Sequence, residues 1–162
     1  VKKVAVIMGS NSDLPVVEKC INTLKEYDVP VEVHVYSAHR TPEQVQEFCS
    51  VARQNGFGVI IAAAGKAAHL AGVCASWTTL PVIGIPVKAA EFDGMDALLS
   101  TVQMPTGLPV ATVAVNGAAN AGLLAVQILA VEDGALAEKL NSARSAGKEA
   151  VLAADREIAG RY

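Results

Sequence analysis

Five short runs rich in valine and isoleucine punctuate this 162-residue chain, at residues 3–8, 31–36, 59–63, 81–86 and 110–115. Each is apolar on both faces, which is the pattern of parallel strands covered by helices on either side. The gaps carry helical spacing. Leu14, Val17, Ile21 and Leu24 mark one face of a first helix, and Val45, Phe48, Cys49 and Ala52 one face of a second. Asp28-Val29-Pro30 and Asn55-Gly56 stop these helices. Strands alternating with helices are joined by right-handed crossovers. The expectation is a three-layer α/β/α sandwich around a five-stranded parallel sheet in the order 2-1-3-4-5. There is no linker, repeat or low-complexity tract, so residues 1–162 read as a single domain.

Two later segments depart from a simple monomer. Residues 118–131 are apolar nearly all the way round, with Asn120 and Gln127 the only polar side chains, so this helix is expected to be buried on every side. In a domain of this size, part of that burial points to another subunit. Residues 134–158 form a more charged C-terminal helix with a narrow stripe at Leu136, Leu140, Ala143, Gly147 and Val151. Hydrophobic residues make up 52% of the chain and charged residues only 18%, which also points to surface covered by other copies.

Composition excludes several functions. A net charge of −3 without a basic stripe gives no footprint for nucleic acid. No apolar run reaches the ~18 residues of a membrane span, and the chain opens directly into a strand without a signal-peptide pattern. Cys20, Cys49 and Cys74 are odd in number and each lies on a predicted helix. They read as reduced thiols of a cytoplasmic protein.

The polar residues that remain cluster at three strand-to-helix turns. The first strand runs into Gly9-Ser10-Asn11-Ser12-Asp13, the second into Ser37-Ala38-His39-Arg40-Thr41-Pro42, and the third into Gly65-Lys66-Ala67-Ala68-His69-Leu70. In an open parallel sheet these turns lie together outside the carboxyl ends of the strands, where ligands bind. Ser10 and Ser12, with free N–H groups at a helix start, suit a phosphate, although Ser12 or Asp13 would serve equally as a helix cap. Asp13 is ill placed against a phosphate but suited to accept from ribose hydroxyls. Arg40 suits bidentate binding of an anion. His39 suits proton transfer near neutral pH. Ala67, Ala68 and Gly72 permit close approach of a ligand to the backbone. His69 is a second polar candidate, whereas His34 lies mid-strand and reads as structural. The loop Gln103 to Pro109 is a candidate pocket wall. His39 and His69 lack a third metal ligand at suitable spacing, so no metal is expected. There is no Walker loop, no GxGxxG and no Gly-x-Ser-x-Gly elbow.

These stretches, together with Val102-Gln103-Met104-Pro105, resemble the N5-carboxyaminoimidazole ribonucleotide mutases of purine biosynthesis (class I PurE) along essentially the whole chain. The resemblance implies a flavodoxin-like fold, a homo-octamer of 422 symmetry, and a reaction with no cofactor and no metal. A carboxyl group moves from the exocyclic nitrogen of an aminoimidazole ribonucleotide to the adjacent ring carbon by decarboxylation, trapping of carbon dioxide and recarboxylation. The resemblance gives Ser10, Ser12 and Arg40 the phosphate, Asp13 the ribose, and Ser37 a place in the same pocket. His39 becomes the proton shuttle. Gly65, Ala67, Ala68, His69 and Leu70 wall off the carboxylate side, where a dry pocket of small residues keeps carbon dioxide close.

The third stretch departs from the family at two places. Gly-Gly-Ala-Ala-His-Leu-Pro-Gly becomes Gly65-Lys66-Ala67-Ala68-His69-Leu70-Ala71-Gly72, with Lys66 for a glycine and Ala71 for a proline. If residue 66 takes φ > 0, Lys66 is strained by ~1–2 kcal/mol. Its side chain is expected to extend outward to water. Two other readings compete with the mutase. One is a related enzyme that carboxylates aminoimidazole ribonucleotide directly with carbon dioxide. The other, of a different class, is a non-catalytic nucleotide- or flavin-binding module.

Overall fold

In the computed structural model, which describes residues 1–162, the five runs form one parallel sheet. Its strands are β1 (Lys3–Met8), β2 (Val31–Val35), β3 (Phe57–Gly65), β4 (Val82–Val87) and β5 (Ala111–Thr112), in the order β2-β1-β3-β4-β5. Six helices accompany them: α1 (Leu14–Glu26), α2 (Pro42–Val51), α3 (Leu70–Ser76), α4 (Met95–Val102), α5 (Ala118–Ala130) and α6 (Gly134–Ala159). The expected architecture and strand order are therefore present. The chain steps from β1 to β2 on one side and then returns to lay β3 on the other side of β1. That reversal opens a crevice at the carboxyl ends of β1 and β3.

Alternate residues of the strands feed two cores. Val59, Ile61 and Ala63 of β3 join Val17, Cys20 and Leu24 of α1 and Ala121, Ala125 and Val126 of α5. Ile60 and Ala62 face the other way, onto Val45 and Cys49 of α2 and Leu70, Ala71 and Cys74 of α3. All three cysteines are buried and unpaired. Gly84 in β4 admits α4 closely, because a Cβ there would lie 2.4 Å from the Thr101 Cγ2. Pro42 opens α2 at its first turn, where the missing N–H is not needed.

Three expectations need correction. β2 is an edge strand, and its Val33 and Val35 are exposed rather than covered on both faces. β5 is shorter than the run at 110–115, with only Ala111 and Thr112 paired to β4. α5 is not buried on every side within one protomer. Ala118, Ala121 and Ala125 are buried, but Leu123, Leu124, Ile128 and Leu129 are only partly covered. α6 supplies little of that cover. Leu136 is buried and Leu140 partly so, yet every residue from 141 to 162 is exposed. No helix is long and apolar enough to cross a membrane.

Candidate active site

β1 ends at Met8, and the next residues turn tightly over the sheet edge. Ser10 caps the short 3-10 turn Asn11–Asp13: its Oγ accepts from the Ser12 N–H at 3.3 Å, and its own N–H donates to Asp13 Oδ2 at 3.2 Å. The Ser12 hydroxyl donates to Ser10 Oγ at 2.9 Å. The residues that cap this turn are thus the ones the sequence offered for a phosphate. Ser12 is exposed and Ser10 half-buried, and both line a cavity of about 730 Å³. Burial pushes the Asp13 carboxyl above its ordinary range, against the lowering effects of the Ser10 N–H and the Arg40 charge.

β2 delivers the second group. Ser37 Oγ accepts from the N–H groups of His39 and Arg40, at 3.3 and 3.1 Å, while Thr41 Oγ1 accepts from the Ser37 N–H at 2.8 Å. This small knot fixes the turn that displays His39 and Arg40. The Arg40 guanidinium reaches across the sheet edge to donate to the Gly9 carbonyl at 3.1 Å. It thus joins the β2 turn to the β1 turn.

The third group follows β3. Gly65 favours close packing, since a Cβ there would lie 3.1 Å from the Val87 carbonyl oxygen. Lys66 takes φ 56°, the left-handed region, as expected if it stands where a glycine belongs. Its side chain extends outward to Glu91, 3.6 Å away. His69 precedes α3 and meets His39 directly, with His39 Nε2 at 2.8 Å from His69 Nδ1.

The cavity is lined by Ser10, Ser12, Asp13, Ser37, His39, Arg40, Gly65, Ala67, His69 and Leu70, all singled out from the sequence. Ala68 is the exception. It is buried behind the loop, its N–H donating to Ser100 Oγ at 3.0 Å and its carbonyl accepting from Thr101, so it supports the wall from α4 without lining it. The loop from Gln103 to Pro109 is not a wall of this cavity either. Met104 packs behind α3, where its sulfur would lie 3.1 Å from a Cβ on Gly72, and Gly107 to Pro109 border a separate hollow beside Trp77. That second hollow contains neither a histidine nor a carboxylate. Sequence reasoning missed Val87, Lys88 and Ala89, which complete the pocket from the end of β4. Their position at a fourth strand end was the available signal. His34 is structural as expected, stacked on Tyr36 and bonded to Glu32. No cluster of three or more potential metal ligands exists.

The crevice gathers two serine hydroxyls and a guanidinium, a hydrogen-bonded pair of imidazoles and a wall of small residues. Known proteins share this chain's pattern over nearly its full length. The model of the AIR carboxylase family matches residues 3–150. An N5-carboxyaminoimidazole ribonucleotide mutase of Pyrococcus abyssi is 51% identical over 142 residues, which are 88% of this chain and 82% of that enzyme. A chloroplastic phosphoribosylaminoimidazole carboxylase of Vigna aconitifolia is 54% identical over 146 residues, 90% of this chain but only 26% of that protein, so the chain spans about a quarter of its length. A crystal structure of Treponema denticola PurE has a TM-score of 0.85 at 27% identity, covering 95% of this chain and 96% of that one. A family match spanning every strand and every turn of the pocket leads to one conclusion: the chain belongs to the AIR carboxylase family.

Proposed function

We propose that the protein is an N5-carboxyaminoimidazole ribonucleotide mutase acting in purine biosynthesis. The observation that carries this reading is that His39 lines one cavity together with Ser10, Ser12 and Arg40 and with Gly65, Ala67 and Leu70. Relatives named as this mutase at about half identity over most of the chain support it.

Ser10, Ser12 and Arg40 hold the ribonucleotide phosphate through charge-assisted hydrogen bonds. Asp13 accepts from the ribose, and Ser37 lines the same pocket. The carboxylated base then lies toward β3. The bond between carbon and exocyclic nitrogen breaks, releasing carbon dioxide, and the nitrogen takes a proton from His39. The ring carbon attacks the trapped carbon dioxide, and the proton displaced from that carbon returns to the imidazole. Protons and electrons balance, the net change is an isomerisation, and no cofactor or metal is called on. Trapping depends on proximity, which the small, largely apolar side chains of Ala67 and Leu70 favour.

The same reading makes the protein a cytoplasmic homo-octamer. Support comes from apolar surface with no partner in the protomer: Val33 and Val35 on β2, the stripe Phe92, Met95, Leu99 and Val102 along and just before α4, and the far side of α5.

The test is turnover of carboxyl-labelled N5-carboxyaminoimidazole ribonucleotide in unlabelled bicarbonate at early times. Product that retains most of its label supports the mutase. Label equilibrated with solvent, together with efficient carboxylation of uncarboxylated nucleotide at low bicarbonate, assigns the chain to direct carboxylation instead. Flavin absorbance in the purified protein would favour the binding module.

A further inference from the structure

The cavity has a second cationic side that the phosphate corner does not use. Arg40 follows β2, Lys66 follows β3 and Lys88 follows β4, and all three border the same space. β2 and β3 flank β1, so two strand spacings separate the Arg40 and Lys66 turns, about 10 Å across the sheet edge. That span suits a ligand with an anionic group at each end.

The backbone at residue 66 is built for glycine. Its φ of 56° is one that any residue with a Cβ resists. The turn is held from α4: Ser100 Oγ accepts from the Ala68 N–H at 3.0 Å and donates its own proton to the Asp96 carbonyl at 2.7 Å. A lysine side chain is therefore an addition to a loop that does not need it. Its ammonium lies 3.6 Å from Glu91, and its side chain is 71% exposed. The neighbouring Lys88 is held more closely, 2.8 Å from Asp93. An exposed pair at the longer distance contributes little and exchanges readily. Lys66 is the cation that an incoming anion recruits most easily, while Lys88 stays tied to its own loop.

We propose that Lys66 is a binding residue for a second anionic group, the carboxylate on the base, and that it leaves Glu91 for that carboxylate when the ligand enters. This rests on the reading of the ligand as a carboxylated ribonucleotide. Lys66 makes and breaks no covalent bond. It selects carboxylated over uncarboxylated nucleotide, and Glu91 parks its ammonium at the rim until a better acceptor arrives. A carboxylate on the bound ligand is that better acceptor, because the rest of the ligand holds it beside Lys66 at high effective concentration.

The experiment compares two probes by calorimetry, 4-carboxy-5-aminoimidazole ribonucleotide and 5-aminoimidazole ribonucleotide, on the wild type and on K66G, K66R and E91Q. K66G should lose about tenfold in affinity for the carboxylated probe, the size of one charge-assisted hydrogen bond. Its affinity for the uncarboxylated probe should change by less than about twofold, within the spread of effects at sites that lose no contact. K66R should retain the selectivity, and E91Q should tighten the carboxylated probe by removing the competing carboxylate. Folding is not at risk in K66G, since glycine relaxes the turn. Equal losses for both probes in K66G, or no loss for either, overturn the assignment of Lys66 alone. A wild-type protein that binds neither probe overturns the functional reading, and this proposal with it.

Discussion

The imidazoles of His39 and His69 share a single hydrogen bond, Nε2 to Nδ1 at 2.8 Å, with ring centres 5.0 Å apart and planes inclined at 77°. When both rings are neutral, one nitrogen of this pair must donate and the other accept. The tautomer of His69 therefore sets which nitrogen of His39 carries its proton. His39→Asn should keep the fold and bind nucleotide within about threefold of wild type, yet lose at least ~100-fold in turnover, as expected for a general acid–base group. Steady-state kinetics alongside binding by calorimetry checks this. His69→Asn should cost less, on the order of tenfold in turnover.

The left-handed Lys66 has a stability consequence of its own. Lys66→Gly removes ~1–2 kcal/mol of backbone strain and forfeits an exposed ion pair of ~0–1 kcal/mol. A net gain of about 1 kcal/mol raises the melting temperature of a chain this size by about 2–4 °C. Lys66→Ala keeps the strain and should show no such gain. Parallel thermal melts distinguish the two.

Arg40 bridges two turns through the Gly9 carbonyl while presenting its remaining donors to the pocket. Arg40→Ala should weaken nucleotide binding by about 10–100-fold, the range for a hydrogen bond to a charged group. Arg40→Lys should recover only part of it, because a point charge cannot reproduce the planar fork. Titration with nucleotide and with the base lacking its ribose phosphate reads this directly, and the second ligand should respond little.

Asp13 gives a pH dependence whose sign follows from its environment. Burial raises its pKa most strongly, over the opposing Ser10 N–H and Arg40 charge. A carboxyl raised in the folded state holds its proton more tightly there than in the unfolded chain. Its favourable contribution is complete below the unfolded carboxylate range and disappears as pH rises through the raised folded value. At neutral pH the ionised group opposes folding. Asp13→Asn keeps an oxygen for the Ser10 N–H and should raise the melting temperature at pH 7. The gain should vanish below about pH 3, where both states of Asp13 are protonated.

Phe92, Met95, Leu99 and Val102 stand at helical spacing along and just before α4 and are exposed together. Leu99→Glu should leave the protomer folded, since the residue is already exposed, but reduce the assembled mass seen by light scattering. Wild-type protein at micromolar concentration should scatter as an octamer.

Much of this was legible in the sequence. β1 from Lys3 to Met8 and the start of α2 at Pro42 follow directly from an apolar run and a proline at a helix N-terminus. β3 extends to Phe57 and Gly65, beyond its apolar run, because pairing with β1 and β4 carries glycine and alanine that would not form a strand alone. Tyr36 lies past the end of β2, yet its N–H still donates to the Met8 carbonyl. The three polar turns came together because sheet topology alone dictates it. Val87, Lys88 and Ala89 were legible only from their place at the end of a fourth strand, because neither their residue types nor their spacing announce a ligand. Rigidity made the Gln103–Pro109 loop look like a wall, but a proline fixes a dihedral angle and not a direction in space. Burial of Ala68 was hidden for a similar reason: its partners, Ser100 and Thr101, are distant in sequence.

α6 is 26 residues long, about 39 Å at 1.5 Å per residue. Its first turns rest on the body of the protomer, and Lys139 reaches Asp28 at 2.6 Å, but every residue beyond 140 is exposed. Most helical stability in proteins comes from packing one face against a partner rather than from propensity alone. The outer turns of α6 therefore report on whatever they touch. Their amide hydrogens should exchange quickly in dilute protein and slowly in concentrated protein, while those of β1 and β3 stay protected at both. One exchange experiment across a dilution series would thus read neighbour and protomer separately, with no label and no substitution.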